Sequence, residues 1–334
     1  MLGARDMEFF SDYRMFPKPS SPRVVTIGSF DGLHRGHQFL VGRARDLARS
    51  VGGELCVLTF EPHPARALAP DLSPPLLMPP RRKVRALYAL GADRVLQQAF
   101  GKEFAAMEAA AFVSSVLREH LGAGWVVVGD DFTFGRDRAG RAEDLNRLGA
   151  RAGLSVEIVP RLAVEGIGVS STAVRSFLLQ GNVGGAQLLL GRPYAIEGPV
   201  VTGFGRGRKI GFPTLNIATS AELLPAPGVY VCSVWDDSRR PALSAVANVG
   251  TSPTFGPGKL RVEAHLLGAS GDWVGRSVAL AFWERLRPEQ VFGNVKALIS
   301  QIGRDVERAR AWFADHPQPV MLDPRDGIEL SPSE

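Results

Sequence analysis

Val25-Thr26-Ile27-Gly28-Ser29-Phe30-Asp31-Gly32-Leu33-His34-Arg35-Gly36-His37 is the stretch that decides the reading of this chain. An apolar run enters a glycine-rich turn carrying Asp31, and two histidines three positions apart open a helical pattern. Gly28, Gly32 and Gly36 let a backbone approach a phosphate. A helix start offers free N–H donors at the positive end of its dipole. At this spacing His34 and His37 lie on one helix face and meet the same anion. This is equipment for a nucleoside triphosphate, so an enzyme is the first expectation. A zinc reading of the histidines lacks a third ligand, His63 in a Pro-His-Pro setting being the only nearby candidate.

Around that motif, strand-like and helical patterns alternate. Strands are expected at Val24–Ile27, Leu55–Phe60, Trp125–Val128 and Val156–Val159. Helices are expected at Gly36–Ser50, Lys83–Leu90, Glu103–His120 and Arg141–Ala152. Short apolar runs between helices predict a parallel sheet covered on both faces. The informative loops follow Ile27, Phe60 and Val128, at strand C-termini, where such sheets bind ligands. Composition changes across a junction at Gly181–Pro193. Beyond it, short strand-like runs separated by Gly/Pro turns are expected at Gly198–Thr202, Gly228–Trp235, Ala242–Asn248, Leu260–Leu267 and Ser277–Trp283. They read as an antiparallel barrel or sandwich. A closing helix carries Val295, Leu298, Ile299, Ile302, Val306 and Phe313. The expected division is 1–186, 187–317 and a tail at 318–334.

The 334 residues suffice for two cores. A net charge of +5 suits anionic small substrates and does not argue for nucleic acid. Cys56 and Cys232 stand far apart and read as small buried hydrophobes of a reducing compartment. No run reaches the roughly 18 apolar residues of a membrane span, and acidic residues interrupt the N-terminus as they would not in a secretory signal. A cytoplasmic protein without nucleic-acid or membrane partners is expected. Self-association is left open.

Two further segments bear on the first motif. Val127-Val128-Gly129-Asp130-Asp131-Phe132-Thr133-Phe134-Gly135 again sets a strand, a glycine and acids before an aromatic turn. Val169-Ser170-Ser171-Thr172-Ala173-Val174-Arg175 sets hydroxyls at a helix start, with Arg175 as a clamp for phosphates. Residues 198–216 hold a second constellation. Glycines interleave with Arg206, Arg208 and Lys209 as a flexible cationic flap. If the chain stays extended after Pro213, Thr214 and Asn216 project to one side as hard oxygen ligands for Mg²⁺. In Val262-Glu263-Ala264-His265-Leu266, alternation turns Glu263 and His265 away from the apolar residues, and Glu263 can accept a hydroxyl proton.

The string from Gly28 to His37 resembles the nucleotidyltransferase superfamily signature. Taken with Thr59–Pro64, Gly129–Gly135, Ser170–Arg175, Gly191–Tyr194, Gly211–Thr214, Pro227–Tyr230, Asn248–Phe255, Val262–Leu267 and Leu286–Glu289, the chain resembles the bacterial bifunctional riboflavin kinase/FAD synthetases from about Val24 to Arg310. The resemblance implies an α/β Rossmann-like nucleotidyltransferase module followed by an antiparallel six-stranded β-barrel kinase module with a C-terminal helix. MgATP would phosphorylate riboflavin to FMN, and a second ATP would transfer AMP to FMN, giving FAD and pyrophosphate. Carried over by position, Gly28, Phe30, Asp31, Gly32, His34, Gly36, His37, Ser171, Thr172 and Arg175 would handle ATP in the first module, with Asp131 near the nucleotide or flavin. His34 and His37 would serve catalysis there. In the second, Thr214 and Asn216 would hold Mg²⁺ and Glu263 would be the base. Gly203, Lys209 and Gly211 would lie near ATP, and Arg287 near the flavin. Ser29 replaces a more familiar Asn or Thr. Gly268–Gly275 departs from the family's more acidic stretch beside the kinase site. A single-activity transferase and a non-enzymatic flavin- or RNA-binding regulator are the rival readings.

Overall fold

A computed structural model describes residues 10–236, 239–251, 260–269 and 271–316. The expected tail at 318–334 and the second half of Asn248–Phe255 lie outside the described residues. The chain forms two compact units that part between Ser170 and Ser171.

The first unit is built on five parallel strands: β1 (Arg23–Ile27), β2 (Glu54–Glu61), β3 (Arg94–Ala99), β4 (Trp125–Gly129) and β5 (Ser155–Val159), in the order β3-β2-β1-β4-β5. Burial on both faces explains the unbroken apolar runs. Val24, Leu55, Val57 and Val127 pack under α1 (Arg35–Ser50) and α2 (Pro80–Ala89). Val25, Cys56, Leu58 and Val126 face Val113, Val116 and Leu117, with Leu145 of α3 (Ala142–Arg151). The chain leaves β1 toward β2 on one side and later fills β4 on the other. The crevice of the sheet therefore opens at the C-termini of β1 and β4.

Two expectations change here. β3 escapes the apolar count because Gln97 and Gln98 are buried within it. Backbone bonds from Gln97 and Ala99 to Phe10 and Ser11 occupy its outer edge, and the Gln98 amide oxygen takes the Tyr13 N–H at 2.7 Å. The single helix expected over Glu103–His120 is broken. The Met107 carbonyl accepts from Arg136 N–H at 2.7 Å instead of continuing the helix, and the last stretch winds wider, Leu121 N–H reaching Val116.

In the second unit, α4 (Ser171–Leu179) and α5 (Val183–Leu190) precede a closed barrel. Thus the expected junction at Gly181–Pro193 is largely helix, and position 186 lies inside α5. The barrel strands are β6 (Tyr194–Val201), β7 (Leu215–Ile217), β8 (Gly228–Asp236), β9 (Arg239–Thr251), β10 (Leu260–Leu266) and β11 (Ser277–Pro288). They close in the order β6-β7-β10-β9-β8-β11, which settles the choice between barrel and sandwich. In the interior Phe282 stacks on Tyr194 and meets Tyr230 edge-on. On the outer face, Val229, Val231 and Val246 meet Val306 and Ala309 of α6 (Val295–Asp315). Both cysteine thiols are buried, and burial pushes Cys56 up to about 12. No helix among the described residues is long and apolar enough to cross a membrane.

Candidate functional sites

At the crevice of the first unit lies a cavity of about 400 Å³, within the usual range for a ligand pocket. Its polar lining comes from the backbone of Gly28 to Phe30, His37, His63, Asp131 and Thr133. Its apolar lining, absent from the residues expected from sequence, comes from Phe60, Phe100, Phe104, Phe132, Phe134 and Met107. Its rings meet edge-on or stacked, Phe100–Phe104 at 5.6 Å and Phe132–Phe134 at 5.6 Å and 11°. The alternating Phe132-Thr133-Phe134 was the available signal.

The turn after β1 is tightly determined. α1 begins at Arg35, so His34 is its N-cap rather than a first-turn residue, and its Nδ1 accepts the His37 N–H at 3.3 Å. That bond assigns the His34 proton to Nε2. The His34 and His37 rings stack at 3.6 Å, and Phe30 meets His37 edge-on at 5.3 Å. The glycines also serve internal packing. A Cβ at Gly28 would meet the Phe30 ring, at Gly36 the His34 ring, and at Gly32 (φ +78°) Leu77. The Asp31 carboxylate accepts the Leu77 N–H at 3.0 and 3.1 Å, and neither Asp31 nor His34 lines the cavity. His63 caps Pro64–Leu68 through Nδ1. Asp131 stands exposed at the rim, 3.6 Å from Arg161.

Burial, then the neighbouring charges of His34 and Lys83, hold His37 well below the usual histidine range. Its enclosed Nδ1 has no partner among the described residues. The unfolded chain therefore takes up a proton below about pH 6.5 that the folded site refuses. Stability should be retained above that pH and fall by up to about 1.4 kcal/mol per unit below it. Urea unfolding from pH 7 to 5 should show this loss, and His37→Gln should remove it.

The second unit holds a cavity of about 300 Å³ between the outer face of the barrel and α6. Burial alternates along β10, with Val262, Ala264 and Leu266 buried and Glu263 and His265 half-buried. Strand register places Glu263 between Asn216 of β7 and Asn248 of β9. Asn248 was not anticipated as a site residue, because cross-strand register is invisible in a single strand's pattern. Thr214, Asn248, Glu263, His265 and Arg287 line the cavity. The His265 ring is 2.8 Å from the Pro213 carbonyl, tying β10 to the segment that carries Thr214.

The flap is more ordered than its glycines suggest, since Arg206–Lys209 makes a helical turn. Phe204 lies beneath the guanidinium groups of Arg206 and Arg261, at 5.2 and 5.6 Å. A Cβ at Gly203 would strike the Asn216 amide, and one at Gly207 would come within 3.4 Å of Thr214 Oγ1. Arg206 and Gly207 line the cavity, whereas Gly203, Lys209 and Gly211 do not.

Arg287 reaches the cavity, but its guanidinium grips the buried Asp305 of α6 at 2.8 to 3.1 Å, with Gln301 completing the carboxylate's bonds. The pair fixes α6 on β11. Asp305→Ala should lower stability by about 3–5 kcal/mol by leaving a buried charge unpaired, read as an earlier unfolding transition. None of residues 268–275 lines this cavity, with residue 270 outside the described set. The loop's Trp273 is buried under Arg276.

Ser171, Thr172 and Arg175 open α4 in the second unit, where Arg175 is buried.

The chain thus combines an open α/β sheet with a cavity at its crevice and a closed barrel with a second cavity beside a carboxylate set between two amides. The FAD synthetase family model matches residues 17–173 and the riboflavin kinase family model residues 190–313. Curated relatives match almost throughout. The bifunctional riboflavin kinase/FMN adenylyltransferase of Pseudomonas fluorescens is 40% identical over 87% of this chain and 93% of its own length. Its Escherichia coli K12 namesake is 39% identical over 88% and 94%, and that of Bacillus subtilis 31% over 91% and 96%. A solved structure from Streptococcus pneumoniae, described as a macrolide-efflux protein, superposes with a TM-score of 0.82. It is 32% identical and covers 91% of this chain and 99% of its own. The chain belongs to the bifunctional riboflavin kinase/FMN adenylyltransferase family.

Proposed function

We propose that the barrel unit phosphorylates riboflavin to FMN and that the α/β unit joins AMP to that FMN, each reaction consuming ATP. The observation that carries the reading is the row Asn216–Glu263–Asn248 across three strands, of which Glu263 and Asn248 line a cavity beside a cationic flap. Glu263 is the only carboxylate in that row. It would take the proton of the ribityl hydroxyl as the hydroxyl attacks the γ-phosphorus of ATP, with ADP leaving. Thr214 and Asn216 fit Mg²⁺ by donor chemistry: both offer neutral hard oxygens, and Gly203 lets the flap backbone lie directly against the Asn216 amide. Bound there, Mg²⁺ would neutralise phosphate charge. Gly203, Lys209 and Gly211 belong to the flap that covers the nucleotide. Arg287 acts on the flavin pocket through α6 rather than through a free guanidinium.

In the first cavity the polar lining suits a triphosphate and the aromatic lining suits a flat flavin or adenine ring. Neutral His37, with the backbone of Gly28 to Phe30, would donate to the α-phosphoryl oxygens as the FMN phosphate attacks and pyrophosphate leaves. His34 orients His37 by stacking, while Asp31, Gly32 and Gly36 shape the turn. Ser171, Thr172 and Arg175 are assigned to the same ATP on the family resemblance. Adenylyl transfer needs no protein nucleophile. Purified protein given riboflavin and MgATP should accumulate FMN and FAD on a chromatogram. FAD formed only from added FMN would leave a transferase alone, and no flavin product would reject the reading.

A further inference from the structure

Lys83, on α2, is a buried lysine that neither reaction uses. In the sequence it sits in Arg81-Arg82-Lys83. In the structure it is only 6% exposed, and its Nζ donates to the Ser29 carbonyl at 3.1 Å and the Phe60 carbonyl at 3.2 Å. Ser29 lies in the turn that contributes to the polar lining, and its carbonyl also accepts Thr59 Oγ1 at 3.2 Å. The same turn holds Phe30 and Leu33 at φ +51° and +42°, left-handed conformations that surrounding contacts must impose.

Two carbonyls take two of the three donors of Lys83 without neutralising its charge. Asp31, on the turn, and Glu61, at the end of β2, favour the charge from a distance. The Asp31 carboxylate is directed to Leu77 N–H, and neither carboxylate forms an ion pair with Lys83. On α1, His37 faces the same charge with His34 stacked on it. A neutral donor could hold both carbonyls with a far smaller loss of hydration. A buried cation lacking a counter-ion beside an anion site instead points to a counter-ion that arrives with the ligand.

We propose that Lys83 is a positioning residue of the first site. It clamps the turn after β1 to the end of β2 without lining the cavity itself, and its charge, which no neighbouring carboxylate pairs, acts from behind the Ser29 backbone on the phosphates of a bound nucleoside triphosphate. The inference rests on reading the first cavity as the nucleotide site. Burial lowers Lys83 to about 8, so near that pH an incoming polyanion draws a proton onto it. Binding then takes up protons around pH 8 and hardly any at pH 6.8.

The test is calorimetry of Mg²⁺ with α,β-methylene-ATP at pH 8.0 and 6.8, in two buffers of different ionisation heat. Wild type should take up as much as about half a proton more at pH 8.0 than at 6.8, and Lys83→Met should lose that difference. The variant should form FAD from FMN about 100-fold more slowly, with riboflavin phosphorylation unchanged. Lys83→Arg, which keeps the charge, should recover part of the loss. Equal proton balance at the two pH values in wild type, or wild-type FAD formation by Lys83→Met, overturns the proposal. The first of these needs no variant to fold. Wild type that makes no FAD from FMN would instead bring down the underlying reading of the site.

Discussion

Glu263→Gln should reduce riboflavin phosphorylation by about 10²- to 10⁴-fold and leave FAD formation from supplied FMN at the wild-type rate. Glutamine keeps the size and one oxygen of glutamate, so the row from Asn216 to Asn248 and the burial of Val262 and Ala264 on either side are preserved. What disappears is the proton acceptor. The loss should therefore fall on kcat, with little change in KM for riboflavin or ATP. A rise in KM with kcat intact would make Glu263 a binding residue and send the search for the base to another group of that cavity.

His37→Ala should do the reverse, cutting adenylyl transfer by about 10²- to 10³-fold while FMN formation continues. The ring is held between the His34 stack and the edge of Phe30, so a donor enters the transition state already oriented. Alanine removes it, whereas His37→Gln, offering an amide donor, should recover part of the rate. Because each variant keeps one reaction, mixing Glu263→Gln with His37→Ala should restore conversion of riboflavin to FAD. The FMN would be released by one molecule and captured by another. Either single substitution abolishing both reactions in a folded protein would contradict separate sites.

Much of this was readable in the chain because burial on two faces writes itself as unbroken apolar runs, as in β1, β2 and β4. Burial on one face writes itself as alternation, as in β10, where Glu263 stands apart from Val262 and Ala264. The β3 strand was illegible because it buries Gln97 and Gln98, and the Gln98 amide oxygen finds its donor 85 residues earlier, at Tyr13. The break in the helix at Met107 depends on a bond from Arg136 that no local pattern announces. Asn248 and Asp305 were hidden for the same reason. Their roles come from strand register and from a partner on another element, Glu263 in one case and Arg287 in the other. Nothing in the helical pattern from Lys83 to Leu90 marks Lys83 as buried; its burial follows from contacts of α2 with the ends of β1 and β2.

The central claim is that one polypeptide uses two ATP molecules in succession on the same flavin. Parallel incubations of riboflavin with γ-phosphate-labelled and α-phosphate-labelled ATP, followed by separation of FMN and FAD, test it most directly. The account predicts γ-label in both FMN and FAD and α-label in FAD alone, with one of each per FAD molecule. α-Label appearing in FMN, or FAD carrying no γ-label when riboflavin is the only flavin supplied, would contradict it.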